Sequence, residues 1–465
     1  MSAEENDPRR RAAGRRVVVT GLGASTVFGD GVRPLWEGCL AGRAVAVPIP
    51  TSWRDYADYR CGHWAPLPPI DHERMAVSRV ERGQLDPVSI LGRHAAREAL
   101  TSAGFGLVPA EIRSRALLVD GVDPERAGVF MGTGVGGASS LLDNHGYQLL
   151  CNARHELEVL SRESDSGVSA RLERVLERLH HGPRFNPFVV SMLMPNAVSA
   201  AIGLKYTLRG PNVTVALACA AGTAAIGAGY RAVRSGVVDV ALAGGAEYLD
   251  DPTGGIFRGF DAAGALMRDY ADAATANRPF DERRTGFLLS QGGAAVLVLE
   301  AMETAVARGA PILAEVAGYA ESFDAYSMMA IAPDGRQIER MLRAALADAG
   351  VGPDAVDYVN AHGTGTRAND EVEAAVIARL FGARPRVAST KSIVGHAVGA
   401  SGAIEAVVTV MSLREQVLHA SLNLGTPIAD LGWVRETAPA TVDLAVSQSF
   451  AFGGHNAAVV LRRVD

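Results

Sequence analysis

The chain has 465 residues, of which 48% are hydrophobic and 21% charged, a balance that supports an extensive core and excludes a disordered chain. Its net charge of −6 argues against a nucleic-acid binder held by phosphate contacts, and it contains no apolar run of the roughly 18 residues that span a membrane. Cys39, Cys61, Cys151 and Cys219 are scattered, which is neither a disulfide framework nor a zinc site and fits a reducing, cytoplasmic setting.

Residues 1–15 are polar and Arg-rich and read as a flexible extension. Arg15-Arg16 precede Val17-Val18-Val19-Thr20-Gly21-Leu22-Gly23, which reads as a buried strand ending in a glycine turn rather than as an export signal. Helical spacing follows over 86–103. Gly128–Met131 reads as a strand entering Gly132-Thr133-Gly134-Val135-Gly136-Gly137, after which Ala138 to Asn144 can open a helix. Residues 153–181 are rich in Arg and Glu. There Val168, Leu172, Val175, Leu176 and Leu179 share one helical face, and Gly182-Pro183 stops the helix. The segment of about 146–182 therefore reads as a surface insertion carrying an amphipathic helix.

Val213–Ala218 reads as a strand, Ala220–Ser235 as a small-residue helix and Val237–Ala243 as another strand. Further strands are expected at Ala294–Leu299, Asp357–Ala361 and Ala457–Leu461, with helices at 336–349, 370–381 and 401–414. Such alternation predicts an α/β protein with buried sheets.

Four places carry candidate chemistry. Gly132-x-Gly134-x-x-Gly137 after a strand matches a dinucleotide fingerprint, but the acidic residues about 20 positions on, Glu156 and Glu158, fall in the insertion rather than at a strand end. A tight backbone turn explains those glycines as well. Cys219 stands where a strand passes into a helix of small residues, a place where free N–H groups favour a thiolate and offer an oxyanion site. A buried structural thiol is the competing reading. His362, in Asn360-Ala361-His362-Gly363-Thr364-Gly365-Thr366, and His396, in Val394-Gly395-His396-Ala397-Val398-Gly399, both lie in glycine-rich bends. Either alone is explained as a satisfied polar group; together with a cysteine they outline a nucleophile site. Phe450-Ala451-Phe452-Gly453-Gly454-His455-Asn456 is an aromatic-glycine loop or a plain turn before the last strand. Cys61-x-His63 has no second half and is read as a non-ligand. Of the 45 basic residues only Lys205 and Lys391 are lysines, and Lys391 lies five residues before His396.

Five motifs in order, Val19–Gly23, Ala218–Thr223, Ala361–Thr366, Lys391–His396 and Ser449–Asn456, resemble the β-ketoacyl-acyl-carrier-protein synthases, in the elongating branch with two histidines. The resemblance implies a thiolase-like α/β fold of five αβαβα layers, in two pseudo-duplicated halves at about 16–275 and 276–465, usually as a dimer. It also implies a decarboxylating Claisen condensation. Cys219 would take an acyl chain from the phosphopantetheine arm of an acyl carrier protein. His362 and His396 would stabilise the enolate of malonyl-ACP. Lys391, paired with Glu405, would hold the histidines; Phe452 would supply an oxyanion N–H and a gate; Thr364 and Thr366 would bind the pantetheine. No metal and no bound cofactor are implied. The dimer would be a homodimer or a heterodimer with a ketosynthase-like chain-length factor, and the 153–181 helix would lie near the subunit contact. Cys219 and His396 set the chain apart from a chain-length factor and from the initiating synthases. Thr285 and Gln291 replace acidic residues usual in the family. These departures, with the insertion, point to type II polyketide or other specialised acyl chains; housekeeping fatty-acid elongation and a non-catalytic chain-length partner are the alternatives.

Overall fold

The computed structural model describes residues 14–111, 115–163 and 185–464. The first strand, β1 (Val17–Thr26), is buried along all ten residues, so it needs no polar alternation. Asp86 caps the next long helix, α1 (Pro87–Ser102), by accepting from the Val88 N–H, and Pro87 occupies the first helical turn. Then come β2 (Ala127–Gly132), α2 (Ala138–Glu163), α3 (Ala197–Tyr206), β3 (Asn212–Val215), α4 (Ala221–Arg234), β4 (Val240–Tyr248) and β5 (Gly292–Ala301). The second part supplies β6 (Ala314–Phe323), α5 (Arg336–Asp348), β7 (Tyr358–Asn360), α6 (Arg367–Phe381), β8 (Arg386–Ala388), α7 (Ser401–Glu415), β9 (Leu444–Ala451) and β10 (His455–Arg462).

The pairing repeats itself. One set runs β3-β2-β4-β5-β1 and the other β8-β7-β9-β10-β6. In each, the first three strands are parallel and the next two pairings antiparallel. The sets join where Val17–Val19 of β1 pair with Ala314–Val316 of β6. Three apolar cores lie between the layers. One lies between α1, α3 and the first sheet, around Leu91, Met131, Val198 and Val296. A second lies between the two sheets, around Ile226, Leu297, Val407 and Val459. A third lies between the second sheet and α5 and α6, around Leu342, Val359, Ile377 and Val446. This is the five-layered αβαβα arrangement. Its central layer is α4 with α7, and α7 is buried over most of its length, its polar members Glu405, Thr409 and Ser412 all hydrogen-bonded inside the fold. Small residues let these helices touch: a Cβ on Gly402 would stand 2.1 Å from Thr223 Oγ1.

Three expectations need correction. The boundary between halves falls after β5, not at 275/276, because Gly292–Ala301 pairs with β4 and β1 of the first sheet. The strand expected over Val213–Ala218 stops at Val215, because the chain must turn sharply before Cys219. The strand expected at Val237–Ala243 starts at Val240 and runs on to Tyr248, through two glycines that look like a strand end. The insertion begins within α2, which continues to Glu163. The stripe Val168, Leu172, Val175, Leu176 and Leu179, like residues 1–13, lies outside the described residues.

Candidate active site

Cys219 sits in a single tight turn, Ala218–Ala220, that leads into α4. Ala218 has φ +43°, a left-handed conformation that costs an alanine energy and is held by the packing around it. The second half repeats the device: Val398 has φ +44° in the turn Val398–Ala400 that leads into α7. The two turns meet in the central layer, which brings the Cys219 loop against the loop that follows His396.

His362 follows the end of β7. The N–H groups of His362 and Gly363 donate to the two oxygens of Glu373 on α6, at 2.7 and 2.8 Å, and Gln448 Nε2 donates to the same carboxylate at 2.6 Å. His396 is tied to the segment before β5, its N–H donating to Leu288 O at 2.8 Å and its carbonyl accepting from Ser290 N at 3.0 Å. Its Nε2 lies 3.1 Å from Cys219 Sγ, and its ring is 5.6 Å from that of His362, nearly perpendicular. Lys391 is 1% exposed. Its Nζ is 3.1 Å from His362 Nδ1, donates to His362 O at 2.8 Å and pairs closely with Glu405 Oε1.

Burial dominates the electrostatics. It pushes the Cys219 thiol up to about 12, against the pull of Lys391 and of the Phe452 and Cys219 backbone N–H groups. The helix-start location alone suggested a ready thiolate; full burial makes the resting group a thiol. Burial, then the charge of Lys391, holds both histidines well below the usual imidazole range, so they are neutral. Burial likewise raises the Glu405 carboxyl, opposed by Lys391.

The cleft over these groups has a cavity volume of about 90 Å³ and is lined by Cys219, His362, His396, Phe287, Thr364 and Phe452 among others. Thr364 and Thr366 face each other, Oγ1 to Oγ1, at 2.9 Å on its outer wall. Every site residue expected from sequence, Cys219, His362, His396, Lys391, Glu405, Phe452, Thr364 and Thr366, therefore falls in one locality.

The other signals resolve structurally. A Cβ on Gly134 would meet Glu247 Oε2 at 2.6 Å and one on Gly137 would meet Met192 O at 1.9 Å, so the 132–137 glycines answer to the chain's own packing. His63 Nδ1 pairs with Tyr270 Oη at 2.6 Å and Cys61 Sγ donates to His63 O at 3.2 Å. Thr285 Oγ1 both donates to Arg268 O and accepts from Arg268 N, at 2.7 and 3.0 Å. Gln291 Nε2 donates to Asp250 at 2.9 Å while Oε1 accepts from Leu67 N at 2.7 Å. Neither departure from the family pattern leaves a polar group stranded.

Sequence reasoning missed Glu247 and Glu373. Glu247 Oε2 accepts from Gly134 N at 2.6 Å and Gly399 N at 2.9 Å, and Oε1 from Val135 N at 3.1 Å, so one carboxylate ties the 133–135 loop to the loop after His396. Burial raises both Glu247 and Glu373 to about 7 in spite of these donors. A lone acid within the small and apolar residues of β4 was the available signal, since a buried carboxylate must be satisfied.

The chain matches the family model described as "Beta-ketoacyl synthase, N-terminal domain" over residues 14–305 and that described as "Beta-ketoacyl synthase, C-terminal domain" over 313–425. A 3-oxoacyl-[acyl-carrier-protein] synthase 2 of Synechocystis sp. is 35% identical over 455 residues, covering 97% of this chain and 98% of that protein. Two solved structures superpose over 97% of this chain and all of theirs. The ishigamide ketosynthase/chain length factor has 30% identity and a TM-score of 0.79. A type II polyketide ketosynthase in complex with its acyl-carrier protein and bound to the hexaketide has 26% identity and a TM-score of 0.78. The chain belongs to the β-ketoacyl synthase family, has its thiolase-like fold, and is an acyltransferase of the 3-oxoacyl-ACP synthase type.

Proposed function

We propose that this β-ketoacyl synthase condenses a Cys219-bound acyl group with malonyl-ACP in a type II polyketide or other specialised acyl-chain pathway. The observation that carries the reading is the convergence of Cys219 Sγ, His396 Nε2 3.1 Å away and the neighbouring His362 ring on one cleft. In acyl transfer, Cys219 sulfur bonds the acyl carbon, the bond to pantetheine sulfur breaks, and the thiol proton ends on the departing pantetheine. The backbone N–H groups of Cys219 and Phe452, close enough to the thiol to pull its pKa down, are the pair that would hold the tetrahedral oxyanion. Malonyl-ACP then loses CO₂. Its thioester oxygen gains negative charge, which the Nε2–H groups of the two neutral histidines meet without a metal. The enolate carbon attacks the Cys219 thioester, and the expelled thiolate takes a proton from water. Thr364 and Thr366 suit hydrogen bonding to the amides of the pantetheine arm. Incubation with a panel of acyl-ACPs followed by intact-mass analysis tests this: an acyl-sized gain mapped to Cys219 is expected, and no gain with any of them overturns it.

Two further elements belong to the reading. The first sheet ends at β3, where Asn212 and Val213 are exposed on an unpaired edge, a surface suited to a second subunit. That subunit is a second copy or a chain-length factor, the second being supported by the ishigamide assembly. Fatty-acid elongation is the alternative pathway, favoured by the 35% identity to the Synechocystis synthase, and product length distinguishes the two.

Lys391 gives the first mutational expectation. Its ammonium reaches His362 Nδ1, His362 O and Glu405 Oε1 inside a shell that leaves it 1% exposed. A planar guanidinium cannot reproduce those directions from one atom. Lys391→Arg is expected to lose condensation nearly as fully as Lys391→Ala, about 10²-fold by analogy with a lost oxyanion donor. Condensation rates of the two variants check this, and wild-type activity in the arginine form would refute it.

The second concerns pH. A lowered imidazole pKa means that protonation comes only well below 6.5, so both donors stay neutral as pH falls from 8 to 6. CO₂ release from malonyl-ACP is expected to show no imidazole titration in that window. Glu247, Glu373 and Glu405, each raised to about 7 by burial, titrate in the same window, so only a fall of about tenfold per pH unit below 7 that persists when each is replaced by glutamine would show a histidine titrating there.

A further inference from the structure

Ser401 opens α7 and is 3% exposed. Its Oγ accepts from the Ala397 N–H at 2.9 Å and lies 2.8 Å from His396 Nδ1. A serine hydroxyl has one proton to give. Among the described residues no other acceptor lies within hydrogen-bond reach of it, so it goes to Nδ1. The reverse arrangement, Nδ1–H donating to Oγ, would strand a buried hydroxyl proton, which is unfavourable. Nδ1 is then an acceptor, and the ring's single proton sits on Nε2, the nitrogen 3.1 Å from Cys219 Sγ.

We propose that Ser401 is a positioning residue, whose hydroxyl fixes His396 as the Nε2–H tautomer and holds that N–H toward the reacting thioester. The role rests on the functional reading above and deepens it. His362 reaches the same state by a different route, since its Nδ1 lies 3.1 Å from the Lys391 ammonium. The two rings become like donors through unlike partners, one a charge and one a hydroxyl. The turn that places Ser401 is the left-handed Val398 turn, so the second half's counterpart of the Cys219 turn sets the histidine's proton rather than a nucleophile.

Two measurements test this. In wild-type protein labelled with ¹⁵N-histidine, the resonances that disappear in His396→Asn should show an unprotonated Nδ1 and a protonated Nε2. A protonated Nδ1 overturns the assignment. In Ser401→Ala, which removes one oxygen from a small-residue site, kcat for CO₂ release from malonyl-ACP should fall about tenfold through lost alignment. KM for malonyl-ACP and the rate of acyl transfer to Cys219 should stay within about threefold of wild type. Wild-type decarboxylation in Ser401→Ala, or a parallel loss of both steps, overturns the positioning role. Wild-type protein that releases no CO₂ from malonyl-ACP instead overturns the functional reading, and the ¹⁵N spectrum still decides the tautomer.

Discussion

Replacing Cys219 by alanine is expected to end acyl transfer from acyl-ACP, by at least about 10³-fold, because the proposed step forms a bond to the sulfur that is removed. The fold should survive. Cys219 is buried beside Ala218, Ala220 and Ala221, so alanine matches its neighbours and deletes one atom, at about 1 kcal/mol. CO₂ release from malonyl-ACP should persist in this variant, since in the proposed mechanism the histidines and not the thiol meet the enolate; the enolate then takes a proton and leaves as acetyl-ACP. Intact mass, peptide mapping and CO₂ release measure the three quantities. The other described thiols are poor substitutes because neither lines the cleft: Cys39 is buried in the inter-sheet core, and Cys61 Sγ donates to His63 O. An acyl adduct mapped to Cys39, Cys61 or Cys151 would move the nucleophile and refute the assignment.

What could be read from the sequence, and what could not, divides along the range of the interaction. Strand–turn–helix junctions are local, so Cys219, His362 and His396 stood out as polar residues in glycine-rich or small-residue bends. The layered α/β alternation was local too. The partners that hold those bends are not local. Glu373 is 11 residues from His362 in sequence and Glu247 is 152 from Gly399, and nothing near the donors announces either acid. Glu373 carries a faint signal, since it shares a helical stripe with Ile377 and Leu380 and so had to point inward. Gly292–Ala301 is assigned to the first sheet only by its pairing, which no local pattern encodes. Ser401 looked like any helix-opening serine, and only its 2.8 Å distance to His396 Nδ1 separates it from one. Cys219's electrostatics failed for the same reason: a helix start is visible in sequence, but complete burial is a property of the assembled layers.

His362→Ala and His396→Ala are each expected to slow decarboxylation of malonyl-ACP by about 10²-fold or more, the loss of one preorganised donor to a developing oxyanion being worth about 3 kcal/mol. Acyl transfer to Cys219 should suffer less, because the groups proposed to hold its oxyanion are backbone N–H groups that neither substitution removes. The two variants should still differ. His362 shares its Nδ1 neighbour Lys391 with Glu405, so removing the ring leaves a buried ammonium with fewer partners and should also lower thermal stability. His396 faces Cys219 at 3.1 Å and is backed by a neutral serine, so its loss should raise no such charge problem and should affect acyl transfer more than His362 does. The double variant should fall less than the product of the single losses if both rings hold one enolate oxygen, since donors acting on one atom are not additive. CO₂ release, single-turnover acylation and melting temperature, measured on the three variants, separate these effects. Wild-type decarboxylation in both single variants would remove the histidines from the chemistry.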